Sequence, residues 1–317
     1  MVFEKSINNR HAGFRLDVFL TEKFTYHTRN QWQKKIEEGK VLLNGKPAKA
    51  SSKIPRDSVL SYDIGDYEEK PVNEDYTVLF NDGHLLIVNK PPNIPVHTSG
   101  KYFNNTLIKI LRRDFPEGEL NLINRLDRET SGIIMLGKTF SARKEMGNQF
   151  RGKKVKKTYI AYVFGEIKKD RFTVSAPIAE DVSTVVCIRM GVDKKGRPAE
   201  TAFEVITRSN GFTKLFCYPI TGRTNQIRVH LAHAGHPVVG DKLYSGNDRD
   251  FLEFIKGGNT EEILKRVIME RQALHSYKTV FTHPETGKEV EIVAPEPEDM
   301  LAFERDYMAP RQKHPSR

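Results

Sequence analysis

The sequence predicts an α+β protein in two parts: a small N-terminal α+β module, then a larger domain built on a mostly antiparallel or mixed β-sheet with flanking helices. Three observations carry this. At about 150 residues per domain, 317 residues correspond to two domains. Beyond residue 78, strand-like runs follow one another directly and outnumber helical stripes, which favours α+β over alternating βαβ units. Between the two parts lies GDYEEKPVNEDYT, Gly65–Thr77, an acidic, proline-containing stretch without periodicity that reads as a linker. The boundaries expected are 1–65 for the module, 66–77 for the linker and 78–308 for the larger domain. Residues 309–317 make a basic tail, expected to be disordered.

The elements follow in order. Residues 1–13 are polar and read as loose. Leu16, Phe19, Leu20 and Phe24 recur at i, i+3, i+4 and i+8, the apolar stripe of a short helix. Thr28 can cap a second helix carrying Trp32 and Ile36, and Gly39 is a natural stop. In VLLNGKPAK, Asn44-Gly45 marks a tight hairpin turn. In the larger domain HLLIVNK reads as a buried strand. Leu107, Ile110 and Leu111 share a helical face, and GIIMLGKT is another buried strand. Ser141 can cap a helix running to about Phe150. Lys157–Ile167, Thr201–Thr207 and Phe212–Ile220 read as strands. Thr224 can cap a helix holding Ile227 and Leu231, and strands near Ala273–Thr282 and Glu289–Val293 complete the set.

Charge narrows the function. Lys plus Arg is 51 against 41 Asp plus Glu, a net charge of +10, which favours a polyanionic partner such as nucleic acid. No run of about 18 apolar residues and no signal-peptide core occur, so a cytoplasmic protein without a membrane partner is expected. Cys187 and Cys217 sit in apolar stretches and read as buried thiols in a reducing compartment. No CxxC, HExxH, GxxxxGK[ST] or GxGxxG occurs, so neither a zinc site nor the commonest nucleotide loops are expected.

Three segments could carry chemistry. Asn124-Arg-Leu-Asp-Arg-Glu-Thr-Ser-Gly132 is a dense charged loop before an apolar strand, which holds Asp127 at a sheet edge. There a carboxylate can act as nucleophile or base, or merely cap the turn. Thr221-Gly-Arg-Thr-Asn-Gln-Ile-Arg-Val-His230 sets Arg223 at the mouth of a helix start, with Arg228 further along. It is an anion-friendly site, or an ordinary basic helix with a solvated face. Arg151-Gly-Lys-Lys-Val-Lys-Lys-Thr-Tyr159 places Lys153, Lys154, Lys156 and Lys157 before Tyr159. It suits phosphate contacts beside an aromatic platform, or again a solvated face.

Together these segments resemble the RluA-type family of RNA pseudouridine synthases. NKPPNIPVHTSG resembles the family's first motif and NRLDRETSGIIML its catalytic motif. KKTYIAYVFG resembles its Lys-x-Tyr-x-Ala strand. TGRTNQIRVHLAHAGHPVVGDKLY and RQALHSYKTVFTHPETG resemble its two later motifs, in the family's order. RLDVFL and TRNQWQKKIEEGKVLLNGKP resemble an S4 RNA-binding domain. Two positions depart from the pattern: Asn124 and Asn225 stand where the family usually has His.

The resemblance implies the pseudouridine synthase fold and conversion of uridine to pseudouridine in RNA. It favours large-subunit ribosomal RNA over transfer RNA, with no metal and no cofactor, by a monomer. It implies Asp127 as nucleophile, paired with Arg223, and Tyr159 stacking on the base. Arg125 would fill the space left by a flipped base or contact phosphate. Arg29, Lys34, Lys35, Lys40, Lys153, Lys154, Lys156, Lys157 and Arg228 would bind RNA. The rivals are a non-catalytic RNA-binding or ribosome-assembly paralogue and an N-glycosidase, which would also want an Asp nucleophile but would leave an abasic site.

Overall fold

A computed structural model of the chain describes residues 2–24, 27–63, 69–98, 102–186 and 188–309. It divides into two compact units, residues 1–71 with 97–106, and residues 72–96 with 107–317. Part of the expected linker, Cys187 and the tail from residue 310 lie outside the described residues. Among the described residues no helix is long and apolar enough to cross a membrane.

The first unit begins with a strand that sequence reasoning took for loose chain, β1 (Val2–Ser6). α1 (Leu16–Lys23) buries Leu16, Phe19 and Leu20, as their spacing requires. α2 (Arg29–Glu37) opens with a capping box, in which Thr28 accepts from the Gln31 N–H and Gln31 reaches back to the Thr28 N–H. It buries Trp32, whose indole N–H donates to Phe24 O at 3.1 Å. β2 (Val41–Leu43) and β3 (Lys46–Pro47) flank the Asn44-Gly45 turn, and β4 (Val59–Asp63) completes a sheet in the order β1-β4-β2-β3. Residues 97–106 belong here too. Phe103 joins the core, and the Glu69 carboxylate accepts the Phe103 and Asn105 N–H groups at 2.9 and 2.8 Å.

The second unit is built on one large sheet. β5 (Thr77–Asn81) and β6 (Leu85–Lys90) precede α3 (Leu107–Asp114). β7 (Asn121–Leu122), β8 (Ser131–Gly137), α4 (Phe140–Arg151) and β9 (Lys156–Phe164) follow. Next come β10 (Arg171–Ser175), the hairpin pair β11 (Ile178–Glu180) and β12 (Met190–Val192), β13 (Glu200–Ser209) and β14 (Phe212–Pro219). α5 (Gln226–His233), α6 (Asp248–Gly257), α7 (Glu261–Val267), β15 (Leu274–Thr282), β16 (Glu289–Val293) and α8 (Glu298–Phe303) end it, with a π-helical turn after α8.

The strand order is β10-β13-β14-β9-β15-β8-β6-β5, with β16 on β15 and β7 on β8. Pairings are antiparallel except β8 with β15, so the sheet is mixed. The central strands are covered on both faces. Leu86, Val88, Ile134 and Leu136 pack toward α3, while Leu85, Ile87, Ile133 and Met135 pack with Ala142 and Met146 of α4. That is the period-two alternation of a pleated strand buried on both sides, and it explains the unbroken apolar runs. Two expected caps shift by a residue or two. Thr139, not Ser141, caps α4 by accepting the Ala142 N–H at 3.2 Å. Asn225, not Thr224, stands at the start of α5, in a left-handed conformation with φ 56°.

Candidate active site

The loop before β8 presents Asp127, and three features set its path. The Thr130 N–H donates to Asp127 O at 3.2 Å and closes the turn. Asn124 staples the loop to the strand, donating to Ile133 O at 3.2 Å and accepting the Met135 N–H at 2.7 Å. The departure from His at this position therefore falls on a residue that shapes the loop. Gly132 has φ 110°, and a Cβ there would lie 2.3 Å from Ser276 O, so only glycine lets β8 and β15 approach so closely. Ser276 in turn faces Tyr159 across β15 and β9. The sheet thus carries the line Gly132, Ser276, Tyr159 and brings the tyrosine to the Asp127 end.

Arg228, not Arg223, holds Asp127. Arg228 Nη1 lies 2.8 Å from Asp127 Oδ2, while Arg223 Nε donates to Pro198 O at 2.9 Å. The reason is helix phase. α5 starts at Gln226, so Arg228 falls in its first turn on the buried side and Arg223 stays in the preceding turn. The same fact corrects Arg228 as an RNA-backbone contact, since its side chain is only 10% exposed.

Arg228 is gripped from its other edge by the fully buried Asp241, with Nε–Oδ2 at 2.6 Å and Nη2–Oδ1 at 2.8 Å. Burial alone would weaken the guanidinium, but Asp241 and then Asp127 hold its pKa well above the usual range. Asn225 accepts from Arg228 Nη1 at 3.2 Å and donates to the Tyr244 hydroxyl at 3.1 Å. The Tyr244 ring lies 5.0 Å from the guanidinium carbon. Asn tolerates the left-handed backbone required there, as His also does.

Behind the loop, Gln272 donates from Nε2 to Thr130 Oγ1 and lies 3.5 Å from Asp127 Oδ2. Lys90, at the end of β6, is fully buried and donates to Pro91 O, Ile94 O and Arg128 O at 2.8 to 3.0 Å, tying the β6 turn to the residue after Asp127. Burial pulls its ammonium well below the ordinary lysine range. Burial also pushes the Tyr159 hydroxyl up to about 12, against the hydrogen bond from Ser276. At neutral pH Tyr159 therefore keeps its proton.

Sequence reasoning missed Asp241, Tyr244, Gln272 and Lys90 as members of this site. Their segments were singled out as motifs, and Asp241 is an acid set in the apolar run HPVVGDKLY, which is a signal of a partnered buried charge.

The expected RNA contacts are scattered in role. Arg29 donates to the buried Asp17 at 2.8 and 3.0 Å, and Lys40 pairs with Glu38 at 2.7 Å. Lys34 is exposed and Lys35 half-buried. Arg125, Lys153, Lys154 and Lys156 are exposed, whereas Lys157 is half-buried over the Phe150 ring at 5.9 Å.

Comparison with known proteins identifies the family. A family model described as RNA pseudouridylate synthase matches residues 84–233, and an S4 domain model matches residues 14–60. The chain is 31% identical over 308 residues to the ribosomal large subunit pseudouridine synthase D of Nitrosomonas europaea, covering 95% of this chain and 86% of that one. It is 34% identical over 304 residues to synthase C of Buchnera aphidicola from Acyrthosiphon pisum, covering 91% and 92%. The human RNA pseudouridylate synthase domain containing 1 superposes with a TM-score of 0.58 at 26% identity, over 72% of this chain and 86% of that one. With its motifs set in one mixed sheet and relatives matched along nearly its whole length, the chain belongs to the RluA-type family of RNA pseudouridine synthases and carries an N-terminal S4 domain.

Proposed function

We propose that the chain isomerises specific uridines of large-subunit ribosomal RNA, with Asp127 as the reacting carboxylate. The observation that carries this is the state of Asp127. It is a third exposed, and a single guanidinium nitrogen orients it at the edge of the sheet. A carboxylate that only capped a turn would have no need of a buried arginine. The ribosomal substrate is supported by the relatives, whose names assign them to the ribosomal large subunit.

The reaction breaks the N1–C1′ bond of uridine, turns the uracil and joins C5 to C1′. C5 loses a proton and N1 gains one, so the balance needs no oxidant or reductant. On this reading Asp127 meets the nucleoside, Arg228 aims that carboxylate, and Tyr159 stacks on the freed base. With its hydroxyl pushed up to about 12, Tyr159 enters the reaction as a donor of a hydrogen bond rather than as a ready base. Reaching Asp127 requires the target base to leave its stack, at a cost on the order of a few kcal/mol. On this reading Arg125, exposed on the loop two residues before Asp127, fills the vacated space. Lys34, Lys35, Lys153, Lys154 and Lys156 supply phosphate contacts. On this reading the protein works as a monomer in the cytoplasm.

Pseudouridine mapping of total RNA from a strain lacking the gene, against its parent, tests the reading. Loss of one or a few pseudouridines from large-subunit RNA supports it. Loss confined to transfer RNA redirects the substrate, and an unchanged map overturns it.

A further inference from the structure

We propose that Phe254, on α6, is a positioning residue for the catalytic loop: its ring takes the cations of Arg128 and Lys242 and so fixes the segment that follows Asp127. The inference rests on the functional reading above, because the loop it holds is the one that presents Asp127.

Two cations meet one ring here. The Arg128 guanidinium carbon lies 5.5 Å and Lys242 Nζ 4.5 Å from the centre of the Phe254 ring. An aromatic face carries negative potential, and it attracts a cation most strongly where water is excluded. Lys242 meets that condition, with its side chain only 2% exposed. Its ammonium has three N–H groups to place. Among the described residues it donates to Glu129 Oε2 at 3.2 Å and to Glu270 O, and the Phe254 face lies beside it as a third partner.

Arg128 and Glu129 are the two residues after Asp127. Glu129 gathers the same two cations, since it accepts from Arg128 Nη2 at 3.2 Å as well as from Lys242. The main chain of this segment is tied from the sheet side, where Lys90 donates to Arg128 O at 3.0 Å. Phe254 adds a hold on the side chains. α6 can serve as a fixed wall because other residues anchor it. Asn247 caps it by accepting the Asp250 N–H at 3.1 Å, and the buried Asp250 accepts from Arg266 Nε of α7 at 3.0 Å. Phe251 and Leu252 pack against Leu243 and Tyr244. The half-buried Phe254 ring is left to face the loop.

Phe254 thus acts on the reaction through Arg128 and Lys242. A misplacement of about 1 Å at a reacting group can cost on the order of 100-fold in rate. Loosening the loop should therefore show in the rate at saturating RNA and leave RNA affinity nearly unchanged.

The test replaces Phe254 in the full-length protein by phenylalanines carrying one, two, three and five ring fluorines. Fluorine withdraws charge from the ring face while nearly keeping its shape, so a packing role would not respond in step with the fluorine count. Single-turnover pseudouridine formation, RNA affinity and the urea midpoint by far-ultraviolet circular dichroism are read on each protein. We expect the rate to fall stepwise, to about 30-fold below wild type at five fluorines, with affinity within about two-fold throughout and the urea midpoint falling in the same order. Phe254→Leu should lose at least as much rate, and Phe254→Tyr should regain most of it. In an Arg128→Gln background the same series should lose less rate, because one of the two cations is gone. A series flat in rate or flat in urea midpoint overturns the proposal, as do losses that are additive with Arg128→Gln. If the Leu protein does not fold, the fluorinated series, which keeps the ring, carries the test alone. Wild-type protein that converts no uridine refutes the functional reading instead, while the midpoint series still decides whether Phe254 holds the two cations.

Discussion

Each compact unit carries an aspartate–arginine cluster, and the two are built in opposite proportions. In the S4 unit one aspartate faces two arginines. Asp17 is fully buried, and its carboxylate accepts from Arg15 Nε at 3.0 Å, Arg29 Nη2 at 2.8 Å, Gln33 Nε2 at 2.8 Å and the Val18 N–H at 3.0 Å. The Arg15 hydrogen bond, outweighing burial, holds its pKa well below the usual carboxylate range. In the catalytic unit one arginine faces two aspartates, and only Asp241 is sealed off. An over-partnered acid with both oxygens occupied can brace a helix pair but cannot react. An under-partnered acid with an open oxygen can. In these two clusters the ratio of charges and the exposure of the acid, rather than the presence of an ion pair, distinguish Asp17 from Asp127.

The largest effect expected from this contrast is on stability. Arg228→Ala leaves Asp241 buried without its cation and should destabilise the catalytic unit by about 3–5 kcal/mol. Arg15→Ala should cost the S4 unit far less, because Arg29 and Gln33 remain on Asp17 and Arg15 itself is half exposed. Urea unfolding resolves the two. Fluorescence of Trp32, the single tryptophan, follows the S4 unit, and far-ultraviolet circular dichroism follows the whole chain. Similar losses from both variants would remove the distinction between brace and site.

Acid separates the units next. His275 is buried between Ser131 Oγ and Ala294 O, and burial pulls its pKa down to about 4. Unfolded, it takes a proton near pH 6.5, so the fold's preference for the neutral ring is fully felt above that pH. It is lost progressively as pH falls from about 6.5 to 4, an effect of about 3 kcal/mol. Asp17, with its pKa lowered in the fold, contributes its stability above the ordinary carboxylate range and loses it only as pH falls below about 4. Unfolding between pH 7 and 4.5 should therefore show a slope for the catalytic unit and little for the Trp32 signal. The His275→Gln protein should lose most of that slope.

Much of the architecture could be read from residue order, and the reasons for the failures are local. α1, α2 and the Asn44-Gly45 turn followed from apolar spacing and turn chemistry, and the buried strands β6 and β8 from their unbroken apolar runs. β1 escaped because VFEKS is too short and mixed to show a period, as did β7 and β10–β12. The start of α5 was misplaced because Asn225 turns its side chain to Arg228 and Tyr244 instead of capping the helix. The pairing of Asp127 with Arg223 was implied by the family resemblance, and the structure puts Arg228 there instead. Asp127 stood out in its loop, but nothing in spacing says which of two nearby arginines, about a hundred residues on, reaches it. Asp241 needed the fold itself, since its partner is known only once α5 packs.

The smallest effect tests the S4 unit's part in RNA affinity. Replacing both Lys34 and Lys35 by Gln should leave Asp17 and its arginines untouched and lower the slope of log K against log salt by about one to two units. A salt titration of RNA binding measures it. An unchanged slope would assign the contact to other residues, of which Lys153, Lys154 and Lys156 come first.

The central claim is that the open carboxylate of Asp127 performs the chemistry. Tritium release from RNA carrying uridine labelled at C5 measures this most directly. Wild-type protein should release tritium while the RNA keeps its mass, with no free uracil and no abasic site. Asp127→Asn, in which Asp241 still holds Arg228, should fold, bind RNA within a few-fold of wild type and release tritium at under about 1% of the wild-type rate, a loss of at least about 2.7 kcal/mol in barrier. Release by the Asn protein above that level, or wild-type protein that yields free uracil, would contradict the account.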